Sequence, residues 1–376
     1  MKNYKLVLVF LLLGYAGPLL QAQNSSVVLA YVTSWSNVMP DPDYVTHINY
    51  AFGHVNESFN GVIINRPARP GRINSDDGRA TSEDRLRSIV ALKSQKPSLK
   101  VLLSIGGWGS GRFSEMAADP NNRLAFAADC QRVVREFGLD GIDLDWEYPT
   151  SSAARISSSP EDTGNFTLLL HDIRQAIGND KLLTFASAAN AKYVDFKAVE
   201  PFVDFINIMT YDIVLNGSAH HAGLFRSELT GTEGALSCEE SVDKHVEVGI
   251  PVGKLVLGIP FYGHGRDSVP GSINYANIIV RDGLVAVINR GEITQLKGHR
   301  EMWDGVAQVP YWVNAEGKFV LSYEKPKSIA IKCAWLKQKG MLGAMYWEYG
   351  ADDPEGTLCK AVYNDIMNKN KQYDNK

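Results

Sequence analysis

Cysteine is scarce in this chain of 376 residues. Four are present, Cys130, Cys238, Cys333 and Cys359, and their spacing fits no metal-binding motif. Cys130 and Cys333 sit in apolar helical patterns that suit buried thiols. A Cys333–Cys359 disulfide stays an open option in an oxidising compartment. Excess positive charge is also missing. The chain has 38 Lys and Arg against 42 Asp and Glu, for a formal charge of -4. No basic cluster is dense enough for a nucleic-acid groove. His220, His221, His245, His264 and His299 show no zinc spacing, and no GxGxxG phosphate loop occurs. These gaps leave no metal and no cofactor to expect. There is no internal repeat, no low-complexity tract and no linker to a second catalytic module.

One long apolar run exists, at the start. Lys2 and Lys5 precede apolar residues from Leu6 to Leu13 and on to Leu20, followed by Gln21-Ala22 and a polar stretch. The expectation is a secretory signal peptide over residues 1–22, cut after Ala22. The run is short for a membrane span, and Gly14, Gly17 and Pro18 interrupt it. Loss of Lys2 and Lys5 with an acid-free leader takes the charge from -4 to about -6. The destination is periplasm or medium.

The rest is ordinary globular composition, 45% apolar and 21% charged. Strands are predicted at 27–33, 46–52, 100–105, 141–145, 181–188, 202–209, 254–261 and 342–347. Helices are predicted at 82–96, 121–137, 165–177, 238–248, 326–339 and 357–367. Phe166, Leu169, Leu170, Ile173 and Ile177, for instance, fall on one helix face. Strands with helices between most of them point to a (β/α)8 barrel over residues 23–370, with a doubly wound sheet as the alternative. Residues 371–376 form a polar tail. Residues 56–81 read as a loop over the second strand. The longer connection from Gly263 to Ser322 suits a small α+β subdomain at 264–322, between strands 7 and 8 and beside the cleft. Its Trp303, Tyr311 and Trp312 are candidates for a cleft wall.

The chemistry is concentrated in Asp140-Gly141-Ile142-Asp143-Leu144-Asp145-Trp146-Glu147-Tyr148-Pro149. A strand alternates its side chains with period two, so Asp143, Asp145 and Glu147 share one face and Ile142, Leu144 and Trp146 take the other. Three carboxyls in a row repel each other, and the repulsion raises at least one pKa. That cost fits a site where a proton is held and delivered. Asp140 has the opposite parity and reads as structural at the strand start.

This run resembles the signature of glycoside hydrolase family 18, the retaining chitinases and their relatives. Four more elements fall in that family's order: Ser104-Ile105-Gly106-Gly107, Met209-Thr210-Tyr211-Asp212, Gly258-Ile259-Pro260-Phe261-Tyr262-Gly263, and Trp347 in the last strand. The resemblance runs from about Ala30 to Tyr349. It implies that Glu147 is the general acid and base, and that the substrate's own 2-acetamido oxygen is the nucleophile. Asp145 would orient that group, Asp143 would share a proton or hydrogen bond with Asp145, and Tyr211 would hydrogen-bond the acetamido carbonyl. Trp347 would floor the reacting sugar. Tyr31, Trp35 and Tyr262 would line the cleft with Met209, Asp212 would contact the sugar across the scissile bond, and Trp108 after Gly107 would stack a distal sugar. Gly106 and Gly107 would let backbones approach closely. Glu348 and Tyr349 depart from the family's common pattern and would alter the cleft end. The implied substrate is chitin or its oligosaccharides, with the chitobiose core of N-linked glycans as the alternative. A monomer is the default.

Overall fold

The structure is a computed structural model that describes residues 26–67, 81–231, 234–281 and 283–367. The expected leader and the polar tail lie outside the described residues, as does part of the 56–81 loop. Eight parallel strands close a barrel: β1 (Val27–Thr33), β2 (His47–Val55), β3 (Lys100–Gly106), β4 (Gly141–Asp145), β5 (Leu182–Ala188), β6 (Phe205–Met209), β7 (Leu255–Pro260) and β8 (Gly343–Trp347). Each pairs with the next, and β8 returns to β1 in the register Val27 to Gly343. The closed order excludes the doubly wound alternative. All eight predicted strands are present, with ends shifted by at most a few residues. β2 runs further than expected, because His54 and Val55 pair with a short strand at Val62–Ile63.

Period-two alternation sorts the strands into two cores. On β1, Val27, Leu29 and Tyr31 point into the barrel, while Val28, Ala30 and Val32 face the surrounding helices. On and just after β4, Ile142, Leu144 and Trp146 join the outer core, and Trp146 stacks on Phe113 with ring centroids 5.3 Å apart. Each such buried side chain contributes about 1.5–3 kcal/mol. Three of them offset the cost of gathering acids on the opposite face.

The helices are α1 (Glu83–Ala91), α2 (Phe113–Ala118), α3 (Pro120–Phe137), α4 (Asp162–Ile177), α5 (Phe196–Val199), α6 (Cys238–Glu247), α7 (Pro326–Lys339) and α8 (Thr357–Met367). α1 is shorter than expected, because its last turn tightens into a 3-10 turn at Leu92–Ser94. α2 and α5 are too short to show a helical period in sequence. α3 starts where Asp119 accepts hydrogen bonds from the Asn121 and Asn122 amides, with Pro120 at the first helical position, and ends on left-handed Gly138. No helix among the described residues is long and apolar enough to cross a membrane.

The insertion corrects the sequence reading. It is built of β-strands, not α+β: among its described residues the only helical turn is 3-10, at Tyr275–Asn277. One antiparallel sheet orders Gly271–Asn274, Tyr262–Gly265, Phe319–Ser322, Val309–Val313 and Arg300–Asp304, and a three-stranded sheet covers Ile278–Arg281, Leu284–Asn289 and Glu292–Gln295. The strands are four to six residues long, too short for a clear period. All four cysteines are buried free thiols, so Cys333 and Cys359 form no disulfide.

Candidate active site

The barrel's C-terminal rim carries the acid row, where open strand ends and loops surround a cleft. Asp145 is the last residue of β4 and Glu147 lies two residues beyond it. Asp145, Glu147, Tyr31, Trp108, Met209, Tyr211, Asp212 and Trp347 line one small pocket of about 190 Å³, together with Ala186. Two larger hollows adjoin it. One, of about 630 Å³, shares Trp108, Glu147, Met209, Tyr211 and Asp212 with the pocket and adds Tyr148, Asn190 and Tyr193. The other, of about 700 Å³, shares Asp212 and Trp347 and adds Trp35, Tyr262, His264, Ser272, Asn274 and Glu348. The hollows extend the small pocket toward Tyr148 and Tyr193 on one side and toward Trp35 and Glu348 on the other.

Asp143 lies beneath this pocket, fully buried. Tyr31 donates its hydroxyl to Oδ2 at 3.0 Å and Ser104 to the same oxygen at 2.7 Å. Oδ1 accepts from Thr184 Oγ1 at 2.5 Å and Asn207 Nδ2 at 3.1 Å. Burial pushes the Asp143 carboxyl above its ordinary value, against these four donors, which favour the carboxylate. Ser104 is visible in the sequence only as a motif member, and Thr184 and Asn207 carry no motif at all. The signal that finds the first two is register: Ser104 and Thr184 are the direct ladder partners of Asp143 on β3 and β5.

Backbone approach brings Asp145 into place. The Gly107 amide donates to the Asp145 carbonyl at 2.9 Å. Gly106 has φ +134°, and a Cβ there would sit 2.0 Å from that carbonyl oxygen. Gly258 is a second forced glycine, because a Cβ would meet the Ile208 carbonyl at 2.4 Å and the Tyr211 ring at 2.9 Å. Burial and the neighbouring carboxylates push the hydroxyls of Tyr31 and Tyr211 well above their usual pKa, so both stay protonated donors. Trp347 stacks on Phe52 at 5.6 Å and tilts against Tyr31 at 5.7 Å, which fixes its indole under the pocket.

Asp212 holds a left-handed backbone (φ +56°) that turns its carboxyl into the cleft, with the side chain 44% exposed. Its Oδ1 accepts from Tyr262 at 2.6 Å and lies 2.8 Å from His264 Nε2. Burial works against its charge, but His221 and His264 beside it hold the carboxyl well below the usual range. His220, in the same loop as His221, is tied to Asp304 at 3.1 Å and to Ser322 at 3.3 Å.

Several expectations moved. Asp140 is structural as read, with Oδ2 accepting from the Val101 amide and Lys93. Trp303, Tyr311 and Trp312 line none of the three cleft hollows. Trp312 is fully buried in the insertion's own core, Tyr311 stacks on Phe319, and Trp303 lies under Lys327. Tyr148 and Tyr193, stacked at 4.9 Å, extend the cleft beside Trp108 instead. Glu348 does reach the cleft end, and accepts from Thr33 Oγ1 and the Gly350 amide.

A closed parallel barrel with an acid row at its strand ends and an indole in the same pocket defines a (β/α)8 protein with a cleft where such barrels carry their active sites. The chain belongs to glycosyl hydrolases family 18, whose sequence pattern matches residues 27–352. Among curated relatives it is 32% identical to chitinase A1 of Niallia circulans, over 88% of this chain and 57% of that protein. It is 30% identical to the endochitinase of Manduca sexta, over 90% of this chain and 66% of that one. The chain thus spans less than two thirds of the length of these two. Among solved structures, a family 18 N-acetylglucosaminidase from Paenibacillus barengoltzii superposes with a TM-score of 0.73 at 32% identity, covering 91% of this chain and all of that one.

Proposed function

We propose that this protein hydrolyses β-1,4 linkages between N-acetylglucosamine units, in chitin or chitooligosaccharides, with retention. The observation that carries the reading is the small pocket itself. Asp145, Glu147 and Tyr211 converge there over Trp347, and buried Asp143 lies behind them. The pocket offers a proton donor and a donor hydroxyl to one sugar.

Glu147 protonates the glycosidic oxygen as the bond breaks, and afterwards takes a proton from the attacking water. The substrate's acetamido oxygen attacks the anomeric carbon from the other face, giving an oxazolinium-type intermediate. This is the substrate-assisted exception to the two-carboxylate scheme. Asp145 orients the acetamido group and stabilises its developing positive charge. Tyr211 donates to the acetamido oxygen and positions it for attack. Asp143 tunes Asp145, and the acids titrate as a coupled set. Trp347 stacks the reacting ring, whose axial C–H face is apolar. Asp212 and Tyr262 contact the leaving-side sugar, and Trp108 a more distant one. Tyr31 and Met209 complete the lining, and Gly107 fixes the Asp145 backbone.

The relatives named chitinase and endochitinase support this substrate class. A second reading is cleavage of the chitobiose core of N-linked glycans, which needs the same chemistry. The β insertion supports the first reading, since its Ser272 and Asn274 line the hollow on the Asp212 side and so lengthen the cleft wall. Residues 1–22 act as an export signal, so the enzyme works outside the cytoplasm, with a monomer as the default state.

Mass spectrometry of the products tests the reading, with N-acetylglucosamine hexamer and a high-mannose glycopeptide offered side by side. Cleavage of the hexamer alone is expected. Release of the glycan with one N-acetylglucosamine left on the peptide would replace this substrate with the second one. The hexamer product sizes separate chain-end from internal attack.

A further inference from the structure

Beside the acid row, three potential metal ligands converge from separate segments. Asp212 follows β6, His221 lies in the loop that runs on from it, and His264 sits on the insertion's first strand. One ligand atom from each lies within 4.8 Å of the others. Asp212 Oδ1 is the common point, 2.8 Å from His264 Nε2 and 3.8 Å from His221 Nδ1. His221 is fully buried, and neither ring nitrogen has a hydrogen-bond partner among the described residues. A buried polar group without a partner is costly, so a structure that keeps one needs a reason. The ring stands edge-on to His264 at 5.0 Å and beside Tyr262 at 5.4 Å, which holds it in place.

We propose that Asp212, His221 and His264 form a binding site for a late first-row divalent cation, with zinc as the type ion. Two imidazoles and one carboxylate suit zinc, copper or nickel, whereas calcium and magnesium want oxygen ligands throughout. Ligand bonds to zinc are about 2.0–2.2 Å. Ligand atoms around a tetrahedral ion at that distance stand about 3.4 Å apart, so binding opens the Asp212–His264 contact and closes the Asp212–His221 gap. The Tyr262 hydroxyl, 2.6 Å from Asp212 Oδ1, stands close enough to orient the carboxylate from outside. Because Asp212 faces the cleft, a bound ion meets the leaving-side sugar and inhibits by raising KM. This last step rests on the proposed hydrolase function, whereas the site itself does not.

Calorimetry of untagged protein with zinc chloride tests the site directly. Cobalt(II) titration gives a second readout, because cobalt in a low-symmetry protein site absorbs in the visible. One ion per chain is expected. His221→Gln, His264→Gln and Asp212→Asn should each weaken it at least tenfold. His171→Gln, at a side chain 45% exposed on α4, should not. Absence of one-to-one binding, or equal loss in His171→Gln and His264→Gln, overturns the site. Binding without a rise in KM keeps the site and rejects only the inhibition.

Discussion

Tyr31 on β1 donates its hydroxyl to Asp143 on β4 at 3.0 Å, straight across the inside of the barrel. Asn207 also reaches both, at 3.4 Å from the Tyr31 hydroxyl and 3.1 Å from Asp143. The innermost acid of the row is therefore held by strands on opposite sides of the barrel, and its proton affinity depends on closure of the whole sheet. Tyr31→Phe leaves this buried acceptor one donor short, at a cost of about 1–3 kcal/mol. Urea unfolding should register the loss. The pH–rate profile should also move, with the acid limb shifted upward, because one fewer donor favours the protonated carboxyl. An unmoved profile would show that Asp143 does not titrate with the catalytic set.

Glu147→Gln removes the proton but keeps the shape. Turnover should fall by at least roughly 10²–10⁴-fold, while chitooligosaccharide binding measured by calorimetry persists. Near-normal turnover would rule out Glu147 as the acid.

The proposed acetamido assistance makes a demand on the substrate. Oligomers deacetylated at the reacting sugar should resist cleavage, because the attacking oxygen is gone. Efficient hydrolysis of fully deacetylated oligomers, followed by chromatography, would sink the substrate-assisted scheme.

Buried His245 gives stability a pH dependence. Its ring bonds Ser187 Oγ and the Ser241 carbonyl, and burial lowers its pKa from 6.5 to about 4. The folded ring refuses a proton that the unfolded chain accepts. Its contribution is therefore complete above pH 6.5 and is lost as pH falls toward 4, by about 3 kcal/mol in all. Urea midpoints at pH 7.5 and 5 should differ less for His245→Gln than for the parent. An identical difference in both rejects the assignment.

Lys332 on α7 and Glu324 form a fully buried ion pair, and the Lys332 ammonium also bonds the Ala222 carbonyl beside His221. Lys332→Met strands the Glu324 carboxyl, so a loss of about 3–5 kcal/mol is expected. Adding Glu324→Leu should recover most of it. Thermal denaturation of the single and double variants reads both effects.

The strand positions and the parity of the acid row were legible in the sequence alone. Both follow from short-range sterics: Ile142, Leu144 and Trp146 need one buried face, which forces Asp143 and Asp145 to the other. The glycines at 106 and 258 were visible as motif members, but their necessity emerged only when neighbouring carbonyls were in place. Register and closure were decided by tertiary structure, because they depend on packing between segments far apart in the chain. That is why the bonds of Ser104, Thr184 and Asn207 to Asp143 were not legible, and why His221 and His264 met at Asp212 with no spacing to announce it. The insertion's aromatics show the same limit. Only packing decided that Trp312 would bury itself among its own strands while Tyr148 and Tyr193 built the cleft.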